Sequence, residues 1–189
     1  MSLARITSRA LAGTDAPEVT VEVHLANGLP SLTLVGLPDT EVKESRERVR
    51  AAIQLAGFEF PNRRVTINLA PADLPKDSGR FDLPIALGIL AASGQLSAQH
   101  LARHEFVGEL ALNGELRPIR GALLMAMAAT RAGRTLVLPR ASAGEAALWP
   151  QASLAQADSL QAVCAMLNGQ ARLEAPEPPP PALAPDYPD

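Results

Sequence analysis

The sequence predicts an α+β chain, a mixed sheet with helices packed on it. Three observations predict it. Early segments alternate apolar and polar residues at the period of a half-buried strand. Later segments alternate helical and strand patterns. Between them, "RFDLPIALGIL" is apolar nearly all round, which a helix tolerates only when covered on every side. Hairpins first and alternating elements afterwards exclude a doubly wound parallel sheet.

The elements follow in order. In "PEVTVEVHLANGLPSLTLVGLP", Val19, Val21, Val23 and Leu25 alternate with Glu18, Thr20, Glu22 and His24. Asn27-Gly28 follows, and Leu32 and Leu34 resume the alternation, so the segment reads as a β-hairpin. Asp39 is an N-cap candidate with Glu41 in the first turn. The helix it opens carries Val42, Val49, Ala52, Ile53 and Ala56 on one face and stops at Gly57. "RRVTINLAP" is a strand facing inward through Val65, Ile67 and Leu69. A polar loop then enters the buried helix. "EFVGELALNGELRPI" reads as a second hairpin turning at Asn113-Gly114. A helix ("GALLMAMAATRAG"), a short buried strand ("TLVLP"), a helix ("SAGEAALW"), a weak strand ("ASLAQA") and a last helix ("SLQAVCAMLNG") complete the pattern. From Ala175 the chain reads "APEPPPPALAPDYPD". Proline at that density favours extended polyproline II, so residues 175–189 are expected to be a linker after a unit spanning 1–174.

Composition narrows the function classes. The 189 residues are 47% hydrophobic, enough for one packed core. A net charge of −3 gives the whole chain no strong non-specific pull toward nucleic acid, and 3% aromatics leave little for base stacking. The single cysteine, Cys164, has no partner for an internal disulfide and reads as a small core residue. No apolar run has the length of a membrane span, and "MSLARITSRALAG" has no signal-peptide core. The expectation is a soluble cytoplasmic protein with no membrane partner. His24, His100 and His104 have no ligand spacing with one another or with Cys164, so no metal site is expected. No G-x-x-x-x-G-K-[ST] occurs, so no nucleotide cofactor is expected in this chain.

The loop before the buried helix concentrates the chemistry. Lys76, Asp77, Ser78, Gly79, Arg80 and Asp82 bring charge and a hydroxyl to a helix start. A Ser–Lys dyad needs the lysine neutral beside the serine. Lys76 adjoins Asp77, which favours the charged amine and argues against a dyad with Ser78. The plainer reading has Asp82 or Ser78 capping the helix, with Lys76 and Arg80 paired to Asp77 and nearby carboxylates. Lys43, Arg46 and Arg50 share a helical face interleaved with Glu44 and Glu47, and Arg63-Arg64 opens a strand. Each reads either as a solvated face or as a nucleic-acid contact.

"PEVTVEVHLANGLPSLTLVGLPDTEVKESRERVRAAI", "RRVTINLAPADLPKDSGRFDLPIALGIL" and "FVGELALNGELRPIRGAL" closely resemble the N-terminal domain of the Mg-chelatase-like AAA+ ATPases, the YifB/ComM family. The resemblance runs to about residue 170. It implies a fold like the Lon protease proteolytic domain, ribosomal-protein domain-2-like. It also implies a following AAA+ domain that carries ATP and Mg. Lon proteases carry P-K-D-G-P-S-A-G with the sixth residue as nucleophile. Laid on "PKDSGRFD", that position is Arg80. Their catalytic lysine follows a P-I-G-G-L string. The matching string is "PIRGA", Pro118 to Ala122, and the lysine position is Leu123. Arginine cannot form an acyl intermediate and leucine cannot act as a base. RadA-like DNA-recombination ATPases share the K-D-S-G string, which fits a non-proteolytic use of the fold.

The resemblance therefore implies a non-catalytic accessory domain on a hexameric AAA+ motor acting on DNA, a branch-migration helicase of natural transformation and recombination. Its partners would be that AAA+ domain, further copies in a homohexamer, and DNA. The candidate contact surface is the loop of Lys76 to Asp82 together with Arg46, Arg50, Arg63 and Arg64. The alternatives are a residual Ser–Lys peptidase using Ser78 and a part of a metal-chelatase-type motor.

Overall fold

The computed structural model describes residues 2–178. It is α+β, as the pattern predicts, with its strands divided among three sheets. The first is a four-stranded mixed sheet of β1 (Ser2–Arg9), β2 (Glu18–Ala26), β3 (Ser31–Val35) and β4 (Arg64–Ala70), in the order β1-β2-β4-β3.

That order corrects the first expected hairpin. β2 pairs with β1 on one edge and β4 on the other, both antiparallel, while β3 lies parallel to β4 and never touches β2. The alternation marked two strands correctly, with Val19, Val21, Val23 and Leu25 all buried. It carried no information about pairing. A two-residue type I′ turn needs positive φ at both central residues. Only Gly28 is positive here, at 146°, and Asn27 is not. Parallel strands need a long connection. β3 reaches β4 through α1 (Thr40–Lys43) and α2 (Ser45–Leu55). The expected single helix breaks at Glu44. Its N-cap is correct: the Asp39 carboxylate accepts from the Val42 N–H at 2.8 Å.

Gly36 ends β3 under tight constraint. A Cβ there would lie 2.2 Å from the Leu69 carbonyl oxygen, and its φ is +107°. Only glycine lets the two chains approach so closely.

Helix α3 (Asp82–Ala92) packs across β1 and β2, with α2 beside it. Nine of its eleven residues are buried, which is why its sequence has no polar face. Val65, Ile67 and Leu69 of β4 complete the same core. The second sheet is parallel: β5 (His104–Phe106), β8 (Thr135–Pro139) and β9 (Leu154–Ala157). Helices α4 (Ala122–Arg131) and α5 (Arg140–Ala146) lie in sequence around β8 and share a smaller apolar cluster with Met125, Leu136 and Leu138. Helix α6 (Leu160–Leu167) is capped by Ser159, whose Oγ accepts from the Ala162 N–H at 3.1 Å, and it buries Cys164 in the main core.

The second expected hairpin exists but is short. Only β6 (Glu109–Leu110) and β7 (Leu116–Arg117) pair, around a turn closed by Gly114 N–H to the Ala111 carbonyl at 2.9 Å. The residues before it belong to β5, in another sheet.

A buried ionic clamp joins the first sheet to the second. Arg9 at the end of β1 donates from Nε and Nη2 to both Glu105 carboxylate oxygens at 2.6 and 2.8 Å, and from Nη1 to the Ala16 carbonyl at 2.9 Å. Arg134 also donates to Glu105, at 3.1 Å, and pairs with Glu18. No sequence pattern pointed to these four residues.

Among the described residues no helix is long and apolar enough to cross a membrane. Of the proline-rich run, Ala175 to Pro178 are described; residues 179–189, where most of the linker expectation falls, lie outside the described residues.

Candidate functional site

β4 delivers its chain into the loop of Lys76 to Arg80, and α3 carries it away. Two backbone bonds tie the loop to the β3–α1 connection: Lys76 N–H to the Leu37 carbonyl at 3.1 Å, and Asp39 N–H to the Lys76 carbonyl at 3.0 Å. Gly79 to Phe81 form a 3₁₀ turn. A Cβ at Gly79 would lie 2.6 Å from the Glu109 Cγ, so any larger residue there displaces that side chain.

The side chains mostly turn inward. Lys76, Gly79, Arg80 and Asp82 are buried, and only Asp77 is fully exposed. The loop therefore presents Asp77 and part of Ser78, not the charged surface expected from its sequence. Lys76 donates its ammonium to the Pro71 carbonyl. Burial pulls its pKa below the ordinary lysine value, against the opposing charge of Asp73. The ion pair with Asp77 that the plainer sequence reading expected does not form, and the Lys76 amine is committed to a carbonyl five residues earlier in the chain instead of to the serine hydroxyl.

Arg80 is held in place. Its Nε donates to Ser78 Oγ at 3.0 Å and to the Asp77 carbonyl at 3.3 Å, and its Nη1 donates to the Arg120 carbonyl at 3.2 Å. The Asp77 carboxylate is 3.7 Å away, the one expected ion pair that forms. Burial lowers the Arg80 pKa, Arg120 adds to the push, and Asp77 and Asp39 oppose both. A guanidinium stays charged throughout working pH. Ser78 is itself strained, at φ 64°, a conformation that costs a non-glycine residue about 1–3 kcal/mol. Its hydroxyl accepts from Arg80 and has no base.

Asp82 is not a side-chain cap. Its carboxylate accepts from Arg48 Nε at 2.6 Å, Arg48 Nη2 at 3.1 Å, the Leu110 N–H at 3.0 Å, and the Ser45 hydroxyl. Burial pushes its pKa up, while the bonds from Arg48, Ser45 and Leu110 pull it back. Arg48 and Ser45 were missed by the sequence reading. The signal was present: Ser45 and Arg48 precede the buried Ala52 by seven and four residues, which places them on the packed face of α2. Arg46 and Arg50, chosen instead, lie on the exposed side of α2.

The arginines expected to extend this surface lie elsewhere. The seven residues of β4 span about 20 Å. The loop follows one end of that strand, and Arg63 and Arg64 sit at the other. Arg50 stacks its guanidinium 4.5 Å above the Phe60 ring and lines a cleft of about 210 Å³ with Gln54, Phe60 and Arg63. Arg46, one turn earlier on α2, and Arg64 are exposed. Among the described residues these four arginines have no carboxylate at ion-pair distance. The single candidate surface is thus two sites: a neutralised loop and a separate basic end.

The two strings corresponding to the Lon catalytic positions do come together. A cleft of about 190 Å³ is lined by Ser78, Gly79, Arg80, Pro118, Ile119 and Arg120. Arg80, at the position that the resemblance matches to the nucleophile, lines this cleft, and Leu123, at the position matched to the lysine, lies in the first turn of α4. Among the described residues no group of three His, Cys, Asp or Glu is arranged to hold a metal ion.

Residues 21–142 match the family described as Subunit ChlI of Mg-chelatase. The chain is 54% identical over 176 residues to the uncharacterized protein YifB of Salmonella typhimurium, covering 93% of this chain and 35% of that protein. It is 53% identical over 173 residues to the competence protein ComM of Haemophilus influenzae, covering 92% and 34%. A Lon protease of Chloroflexus aurantiacus is 32% identical over 129 residues, covering 64% of this chain and 15% of that protein. The chain spans about a third of the length of the YifB and ComM relatives. With a matched model over most of its folded length and half its residues shared with YifB and ComM, the chain belongs to the Mg-chelatase-like YifB/ComM family.

Proposed function

We propose that this chain is the non-catalytic N-terminal domain of a hexameric AAA+ ATPase that acts on DNA, and that it guides DNA and helps assemble the motor. The observation that carries the reading is Arg80. A buried, permanently charged guanidinium fills the pocket where a Lon-type enzyme needs its nucleophile, and Leu123 stands where it needs its amine. The fold is kept and the peptidase chemistry is not. The ComM relative is named a competence protein, which supports a role in competence.

DNA guidance belongs to the basic end and not to the loop. Arg46, Arg50, Arg63 and Arg64 are free of carboxylate partners among the described residues, so they can neutralise phosphates. The loop's charges are consumed internally. The loop is also unsuited to nucleotide phosphate, because the buried carboxyl of Asp82 already occupies the start of α3, where it accepts from Arg48 and the Leu110 N–H. ATP and Mg are assigned to an AAA+ domain outside these residues, in a cytoplasmic homohexamer.

The test uses the full-length protein with and without residues 1–174. Loss of branched-DNA binding and of branch migration without the domain, reproduced by Arg50→Glu/Arg63→Glu/Arg64→Glu, is expected. Full DNA binding and full hexamer formation in the shortened protein together would overturn the proposal.

A further inference from the structure

We propose that the cleft beside Arg80 binds one carboxylate of a peptide segment of mixed charge. The observation behind it is a buried charge with no close counter-charge. Arg80 is 2% exposed. The other inward-facing arginines each hold a carboxylate at hydrogen-bond distance. Arg9 donates to both oxygens of Glu105 at 2.6 and 2.8 Å, and Arg48 to both oxygens of Asp82 at 2.6 and 3.1 Å. Arg80 donates only to two carbonyls and the Ser78 hydroxyl, and the largely exposed Asp77 carboxylate stays 3.7 Å away. A buried charge is costly unless it is paired, so an anionic ligand is stabilised here.

The donors for that anion are in place. Arg80 Nε and Nη1 make the bonds to Ser78, Asp77 and Arg120, while Nη2 has no acceptor among the described residues. Nη2 is not sealed in, since the buried side-chain atoms left unpaired among the described residues are Ser8 Oγ and Trp149 Nε1. It opens into the space that Arg80 lines, two adjoining hollows of about 190 Å³ each that share Arg80 and Arg120 as walls. Arg120 brings a second guanidinium, exposed and without a carboxylate at ion-pair distance among the described residues. The two charges feel each other, for Arg120 helps to push the Arg80 pKa down. Helix α4 begins two residues after Arg120 with no side-chain cap and no acidic residue in its first turn, which adds positive potential. A carboxylate between the two guanidiniums gains charge-assisted bonds from both.

The walls decide which anion fits. Asp39, Glu41 and Asp77 line one hollow, and Glu41 and Glu109 the other. These carboxylates repel a ligand that brings further negative charge close by, as a nucleic-acid backbone does at every nucleotide. They attract a lysine or arginine beside the bound carboxylate. A peptide with one acidic residue between basic ones satisfies both demands. The loop end of β4 thus suits a protein ligand, whereas phosphates suit the basic end.

The probes are a blocked pentapeptide with a central glutamate between paired lysines, its glutamine counterpart, and a single-stranded oligonucleotide. The chain is followed by NMR at the Arg80 Nε–H and the Ala122 amide, so that binding at the basic end does not register. The glutamate peptide should shift both signals saturably. The glutamine peptide should bind at least about tenfold more weakly, as loss of a charge-assisted bond implies. Arg120→Ala should weaken the glutamate peptide by a similar factor at an unchanged melting temperature, because the carbonyl that holds Arg80 belongs to the backbone and is kept. No shift at about 10 mM peptide, enough to fill a site of millimolar Kd, would overturn the proposal. So would equal binding of the two peptides, unchanged affinity in Arg120→Ala, or an oligonucleotide that moves the Arg80 signal at lower concentration than the glutamate peptide. Repeating the titration on the full-length protein separates two sources of the ligand, and either result supports the site. A lost response assigns the segment to the rest of the same protein, and an equal response to a separate one.

Discussion

The Arg80 guanidinium donates to the backbone carbonyl of Arg120 across 3.2 Å, and this bond spans the cleft between Ser78 and Pro118. It ties the turn before α3 to the turn before α4, forty residues apart. In a Lon-type enzyme those two turns carry nucleophile and base. Here they are fastened to each other.

Arg80 is therefore a structural residue, and Arg80→Ala should lower stability by roughly 1.5–3 kcal/mol, the worth of hydrogen bonds made by a charged group. Arg80→Lys should recover little, because an ammonium cannot reproduce the fork that spans Ser78 and Arg120. Urea denaturation measures both. DNA binding by the full-length protein, counted per folded molecule, should not change; weaker binding at unchanged stability would make Arg80 a contact residue instead.

The chain should cleave no peptide bond. Ser78 donates to no base, and the nearest lysine is buried against the Pro71 carbonyl. A serine hydroxyl without an activating base is a poor nucleophile near pH 7. Incubation with labelled casein is the direct measurement. Hydrolysis that disappears in Ser78→Ala is the result that would falsify the non-catalytic reading.

Lys76 should give stability an alkaline signature. Its pKa is depressed in the folded chain by burial, so between that value and the ordinary 10.5 the unfolded chain binds more protons than the native one. Stability contributed by this residue therefore rises with pH through that window and levels off above 10.5. Cys164 acts in the opposite sense, since burial pushes its thiol up from 9.0 to about 12. The difference between the unaltered chain and Lys76→Met cancels the cysteine. That difference should favour Lys76→Met near pH 7 and shrink as pH approaches 10.5. Denaturation curves that stay parallel across this range would rule out a depressed Lys76.

The Arg9–Glu105 clamp should fail asymmetrically. Glu105→Gln leaves the buried Arg9 charge uncompensated beside it and should cost about 3–5 kcal/mol. Replacing both partners, as Arg9→Met/Glu105→Leu, should recover most of that loss, because packed apolar groups need no counter-charge. Arg134 retains Glu18 in the double variant. A double variant as unstable as Glu105→Gln would show that the ion pair itself, and not relief of an orphaned charge, holds the two sheets together.

The sequence alone determined which segments are strands and helices, because burial of one face imprints a period of two or 3.6 wherever a chain crosses a core. β2, β4 and α3 carry their buried residues where the alternation and the all-apolar run predicted them. The Asp39 cap was legible because its hydrogen bond is local. Only the tertiary structure decided that β4 slips between β2 and β3, since period says nothing about partners and Asn27-Gly28 is compatible with a wide loop as well as a tight turn. The resemblance marked the Arg80 and Leu123 positions, but the fate of each charge rested on distance across the fold. Arg48 rather than Arg46 reaches Asp82 because it lies on the packed face of α2. Glu105 finds Arg9 ninety-six residues away. Lys76 and Arg80 turn inward because backbone carbonyls, which every residue supplies and no motif records, are there to receive them.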